Sequence, residues 1–254
     1  MTGLPRVIAH RGAKHARPEN THVAFERALA EGADGIELDL RLSADGVPVV
    51  FHDHTLRKLG QARRRLSALT LDELRRLDFG GWFDARFAGE PIPTLAEVLA
   101  RYAPRTELCL ELKTARDAAR NADLVTRTLQ AVREAGAAEA VWILCFDAGL
   151  LRAAHAQAPR LRYVLNALGP EAALRAAAEL PWLHAIDVDI RWLTPAAGAQ
   201  LRAGGRALMS YTCNTEAHLR AACAAGAEAV ITNRPAWARD WLRATRQSSC
   251  GTRG

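Results

Sequence analysis

Lysine is almost missing from this chain: of 34 basic residues only Lys14, Lys58 and Lys113 are lysines, and arginine supplies the rest. The opening residues, MTGLPRVIAHRG, show no basic segment followed by an apolar stretch and a small-residue cleavage site, so no secretory leader is read there. No uncharged apolar run reaches the length of about 18 residues that a spanning helix needs. A soluble, cytoplasmic protein without stable membrane insertion is expected. Cysteine is sparse and unpaired in pattern. Cys109, Cys145, Cys213, Cys223 and Cys250 are odd in number and lack any C-x-x-C spacing, which argues against a disulfide framework or a zinc knuckle and for buried, reduced thiols. Low-complexity sequence is absent as well. Only the tail, 247–254, reads as disordered, with Cys250 exposed in it.

What is present is the balance of a folded protein, 49% hydrophobic and 24% charged over 254 residues. That suffices for one large core, and a single domain is expected over 1–246. The net charge of +6 and pI of about 9.4 raise the question of nucleic acid. The only dense basic runs are Arg63-Arg64-Arg65 and the tail, without interleaved aromatics, so a solvated basic face is expected and no nucleic-acid partner. The positive field still favours a phosphate-bearing substrate.

Short β-branched or apolar runs alternate with longer segments of helical apolar spacing, the pattern of repeated βα units. Strands are expected at 6–10, 35–40, 107–113, 141–146, 161–166, 185–190, 207–212 and 229–232. Helices are expected near 21–31, 95–102, 118–135, 148–156, 170–179, 195–203, 216–225 and 236–244. Asn20 is the expected cap of the first helix. Strict alternation of eight strands and eight helices predicts a (β/α)8 TIM barrel. The exception follows the second strand: a turn at Asp45-Gly46, a further strand at 48–52 forming a hairpin above the rim, and then a small insertion over the mouth at about 56–93 with a helix at 71–77.

In such a barrel the chemistry sits at the carboxyl ends of the strands. There the chain carries His10-Arg11-Gly12, Glu37-Leu38-Asp39, His52-Asp53-His54 and Glu111-Leu112-Lys113. Side chains alternate along a strand, so Ile36, Leu38 and Leu40 meet the helices while Glu37 and Asp39 face the axis. Glu111 and Lys113 share a face in the same way. Three inward carboxylates repel unless protonated or bound to a cation, and an all-oxygen site suits Mg²⁺ or Ca²⁺. His10 and His52 supply a general base and acid, and Arg11 a planar donor for phosphate oxygens. Lys113, a lysine on an apolar strand of an arginine-rich chain, reads as a compact point charge that arginine would not replace.

The runs Ile8-Ala9-His10-Arg11-Gly12, Pro18-Glu19-Asn20-Thr21, Gly32 through Asp39, Asp45 through Asp53, and Glu111-Leu112-Lys113 together resemble the glycerophosphodiester phosphodiesterase family, of the phospholipase C-like phosphodiesterase superfamily. The likeness continues through Ile92-Pro93-Thr94-Leu95 to the last strand. It implies hydrolysis of glycerophosphodiesters to sn-glycerol 3-phosphate and an alcohol, within glycerophospholipid breakdown. It also implies Mg²⁺ or Ca²⁺ on Glu37, Asp39 and Glu111, acid/base work by His10 and His52, and phosphate binding by Arg11 and Lys113. Either internal attack by the glycerol 2-hydroxyl or direct attack by water is compatible with those residues.

The chain departs from the family pattern in three places. His54-Thr55-Leu56-Arg57-Lys58-Leu59 differs after the His-Asp pair, Ser210-Tyr211-Thr212-Cys213-Asn214 replaces a Trp-Thr-x-Asn run, and Thr232-Asn233-Arg234-Pro235 replaces Thr-Asp-x-Pro. None is expected to touch the metal or acid/base residues. Tyr211 becomes a candidate for stacking on glycerol. Among rival readings, a zinc amidohydrolase is suggested by His52 and His54, but the expected fifth and sixth strands end in Asn166 and Asp189-Ile190 rather than histidine. A non-catalytic binding barrel would have lost some of the seven polar residues. A lysophospholipase D would want an apolar rim, which Trp82, Phe83 and Phe87 of the insertion offer if they do not form its own small core.

Overall fold

The computed structural model describes residues 3–250. Strand β1 (Arg6–His10) leads through helix α1 (His22–Ala30) to β2 (Gly35–Leu42), which turns back into the short antiparallel β3 (Pro48–Val50). The insertion holds a two-stranded sheet, β4 (Thr55–Leu56) with β5 (Gln61–Arg65), and the short helix α2 (Leu71–Arg75). Regular alternation then resumes with α3 (Leu95–Tyr102), β6 (Glu107–Leu112), α4 (Ala118–Glu134), β7 (Val141–Cys145), α5 (Ala148–Gln157) and β8 (Arg162–Ala167). It ends with α6 (Pro170–Glu179), β9 (Ala185–Asp189), α7 (Pro195–Arg202), β10 (Ala207–Tyr211), α8 (Glu216–Ala224), β11 (Ala229–Thr232) and α9 (Pro235–Cys250).

Eight parallel strands run in the order β1, β11, β10, β9, β8, β7, β6, β2, and pairing of β1 with β2 closes them into a (β/α)8 barrel. Helix starts carry the signals that sequence rules lead one to seek. Thr94 and Glu97 form a capping box on α3, as Thr70 and Glu73 do on α2, and α6 and α7 begin with proline.

Four features differ from the sequence reading. Helix α1 is capped by Thr21, whose hydroxyl accepts from the Ala24 amide, because the Asn20 side chain is committed elsewhere. The insertion contains a small antiparallel sheet that its charged run, Gln61 to Arg65, gave no reason to expect. Cys109, Cys145 and Cys213 are buried, but Cys223 is exposed on α8, whose buried face is carried by Leu219 and Ala222. Helix α9 takes in 247–250, the first part of the expected tail, and 251–254 lies outside the described residues.

The main core lies between strands and helices, where Ile36, Leu38 and Leu40 pack with Phe25, Leu99 and Tyr102. Phe25 is fully buried and meets Tyr102 edge-on at 5.5 Å. Phe25→Ala should lower unfolding stability by about 3–5 kcal/mol, the usual cost of an aromatic-sized cavity. Urea unfolding would check it, and a loss below about 1 kcal/mol would mean that the core around α1 collapses to fill the gap. A second layer of Ile8, Cys109, Leu144, Val164, Ala185, Met209, Ala229 and Ile231 fills the barrel interior. The insertion and hairpin share a smaller core built on Val49, Phe51, Leu56, Leu74 and Ile92.

Candidate active site

Above that apolar layer the inward positions of β1, β2 and β6 turn polar, and they open into a pocket of about 220 Å³. His10, Arg11, Glu37, His52, Glu111, Lys113 and Tyr211 line it. Asp39 lies fully buried against Arg11 and Lys113. All eight residues singled out in the sequence therefore meet at one mouth.

The turn after β1 is built tightly. Gly12 has φ +81, and a side chain there would press within 2.7 Å of the Ala24 backbone. Among the described residues Arg11 and Asn20 are the two non-glycine residues with positive φ, and both belong to this mouth. Each is held in place. The Arg11 amide donates to Glu37 at 3.0 Å, and the Asn20 amide to the Arg11 carbonyl at 3.0 Å.

Glu37, Asp39 and Glu111 each offer an oxygen within 4.8 Å of the others. Glu37 Oε1 is buried without a hydrogen-bond partner, a costly arrangement unless something else satisfies it, and Asp39 Oδ1 has only the Lys113 ammonium at 3.0 Å beside it. Burial, with Asp39 and Glu111 beside it, pushes the Glu37 carboxyl well above the ordinary range, and burial beside Asp39 raises Glu111. Asp39 is also desolvated, yet Arg11 and Lys113 hold its carboxyl far below the usual range. One ionised and two frustrated carboxylates make a donor set that a hard divalent cation would complete.

Both histidines have one ring nitrogen occupied. His10 Nδ1 lies 2.7 Å from Asn233 Oδ1, and His52 Nδ1 lies 2.6 Å from Asp53 Oδ1. Since those oxygens accept, each Nδ1 carries the proton and each Nε2 is left without a hydrogen bond, that of His10 facing Glu37 Oε2 at 3.9 Å. Burial near Arg11 and Lys14 pushes the His10 imidazole down to about 3, so it is neutral at pH 7. Burial lowers His52 as well, against the pull of Asp39 and Asp53.

The charged shell beneath is dense. Lys113 donates to Glu111 at 2.6 Å and lies 3.0 Å from Asp39. Glu19 takes Arg11 at 2.9 Å, Lys14 at 3.1 Å and Lys58 of the insertion, which hold its carboxyl down to about 2 against burial. All three lysines of the chain thus converge here.

The sequence model of the Glycerophosphoryl diester phosphodiesterase family matches residues 10–237. The chain belongs to this family. A glycerophosphodiester phosphodiesterase of Caldanaerobacter subterraneus is 34% identical over 90% of this chain and 94% of its own length. Among solved structures, the glycerophosphodiester phosphodiesterase of Agrobacterium tumefaciens superposes with a TM-score of 0.79 at 28% identity, covering 93% of this chain and 100% of that one. A phosphodiesterase of Oleispira antarctica, solved with its product sn-glycerol-3-phosphate, superposes with a TM-score of 0.84 at 25% identity, covering 94% of this chain and 97% of that one.

Several polar residues of this glycerophosphodiester phosphodiesterase escaped the sequence reading. Asn20 spends its amide on Asp39, donating at 2.7 Å, and its residue type alone could not separate that use from a helix cap. The run at Asn233, expected to lie clear of the acid/base residues, instead contacts His10, because closure of β1 on β11 joins positions 223 apart in sequence. Asn214 in turn accepts from the Asn233 amide at 2.8 Å. Asn166 and Asp187 line the far side of the pocket, and their place at the inward ends of strands was the available signal. Tyr211 donates its hydroxyl to Ala167 and sets its ring edge-on to Phe146 at 5.9 Å. Phe83 meets Trp82 edge-on at 5.8 Å and Phe87 at a tilt at 5.9 Å, so the three rings form a cluster within the insertion. Among the described residues no helix is long and apolar enough to cross a membrane.

Proposed function

We propose that this phosphodiesterase cleaves glycerophosphodiesters to sn-glycerol 3-phosphate and an alcohol, with Glu37, Asp39 and Glu111 holding Mg²⁺ or Ca²⁺. The observation that carries the reading is the trio of buried, mutually frustrated carboxylates facing two histidines, each with a free Nε2, across one pocket. The product named in the Oleispira antarctica complex supports the choice of substrate. A cation on the trio supplies charge neutralisation for the phosphoryl oxygens as they gain electron density.

The chain's own groups divide the remaining work. Arg11 and Lys113 hold the phosphate, the guanidinium as a planar donor and the ammonium as a point charge. One histidine removes the proton of the attacking hydroxyl and the other returns one to the departing alcohol, both through Nε2. Asn233 and Asp53 keep the ring tautomers suited to that exchange. Glu19 anchors the far end of Arg11, and Tyr211 lies against the glycerol. The setting is cytoplasmic breakdown of deacylated glycerophospholipids.

The test is release of sn-glycerol 3-phosphate from glycerophosphocholine, glycerophosphoethanolamine and glycerophosphoglycerol, followed with a coupled dehydrogenase. Turnover of at least one is expected. Failure on all three, with hydrolysis of some other phosphodiester, would overturn the substrate assignment.

A further inference from the structure

The mouth has two unlike halves. The charged groups come from β1, β2, β6 and the hairpin, whereas across the pocket β8 and β9 contribute Asn166 and Asp187, paired partners in the strand register. Both are more than nine-tenths buried, both line the pocket, and Asn166 Oδ1 and Asp187 Oδ1 have no hydrogen-bond partner. Among the described residues no cation pairs with Asp187 to explain a buried acid there, and burial, with Glu111 and Asp189 nearby, drives its carboxyl toward the neutral form. Orphaned buried polar atoms that open onto a ligand pocket are acceptors and donors kept for something else.

We infer that Asn166 and Asp187 form the subsite for the terminal hydroxyl of the glycerol arm. A neutral carboxyl donates one hydrogen bond and accepts others, an amide does the same, and a hydroxyl needs both kinds of partner. Position selects the terminal hydroxyl. It is the hydroxyl farthest from phosphorus, and this pair stands across the mouth from Arg11 and Lys113. Constancy selects the glycerol arm, because a fixed buried pair suits the part shared by all glycerophosphodiesters, while the variable alcohol needs open space. This subsite rests on the substrate class proposed above and makes Asn166 and Asp187 specificity residues.

The test compares kcat/KM for glycerophosphocholine with that for its analogue in which propane-1,2-diol replaces glycerol, keeping the 2-hydroxyl and the choline. The wild-type protein should prefer the glycerol ester by about tenfold or more, since an unfilled buried polar pair penalises the deoxy compound. Asp187→Ala and Asn166→Ala should each shrink that ratio toward one, and Asp187→Asn, which keeps a donor and an acceptor, should preserve it. Melting curves identify any variant that fails to fold, and the wild-type ratio needs no variant at all. Equal ratios in wild type and both alanine variants, or no wild-type preference, would overturn the subsite. Calorimetry with sn-glycerol 3-phosphate against propane-1,2-diol phosphate separates the two proposals. Selective binding without turnover of any glycerophosphodiester would sink the activity and keep the subsite, and turnover without selectivity would do the reverse.

Discussion

Glu37→Gln should lower kcat by about 10³-fold or more while making the cation-free protein more stable. The two effects share one cause. Glu37 is buried beside Asp39 and Glu111, so its charge is unfavourable until a cation arrives. A carboxyl whose folded value is raised contributes stability below its unfolded value of 4.5 and loses that contribution as pH rises through the folded value. At neutral pH the cation-free wild type therefore carries a penalty that the amide removes. The melting temperature of Glu37→Gln in EDTA should exceed that of wild type by at least about 2 °C at pH 7.5, and the gap should close as pH falls toward 4.5. Added Mg²⁺ or Ca²⁺ should raise the wild-type melting temperature and leave the variant nearly unmoved. In the same frame, EDTA should abolish wild-type turnover and either ion restore it. Turnover that survives thorough chelation would remove the cation from the reaction, and a variant that melts earlier would show Glu37 to be well satisfied without one.

His10→Ala and His52→Ala should each lower kcat by about 10²-fold to 10⁴-fold, the range for losing a positioned acid or base. Because both rings are held through Nδ1, the lost function is proton transfer at Nε2 and the fold should survive. Circular dichroism would verify that. The roles predict a further asymmetry: a substrate with a very acidic alcohol, such as a 4-nitrophenyl ester, needs little help from the acid, so the variant lacking the acid should recover most of its rate there. The variant lacking the base should not. Equal losses on both substrates would make neither histidine the proton donor, and wild-type rates in either variant would remove that residue from the mechanism.

The barrel was legible because two periods were unambiguous. Ile36, Leu38 and Leu40 had to meet helices, and that alone turned Glu37 and Asp39 inward. The first-strand, second-strand and sixth-strand residues of the mouth could be gathered on paper for the same reason. What resisted was any contact made by closure or by a loop. Asn233 reaches His10 only because the first and last strands are neighbours, and Lys58 reaches Glu19 only because the insertion folds back. Asn20 was misplaced because side chains that cap helices also serve carboxylates at a distance. Asn166 and Asp187 carried the right position without any partner nearby in sequence to mark them.

The apolar layer of Ile8, Cys109, Val164, Ala185, Met209 and Ala229 has a kinetic meaning as well as a packing one. It plugs the barrel below the carboxylates, so the substrate and both products share a single doorway. Were the glycerol arm seated on buried Asn166 and Asp187, as proposed, the alcohol would leave first and the glycerol phosphate last. The retained product would then compete with the next substrate for the same seat, whereas the freed alcohol would not, and the outgoing queue rather than bond cleavage would set the pace of turnover.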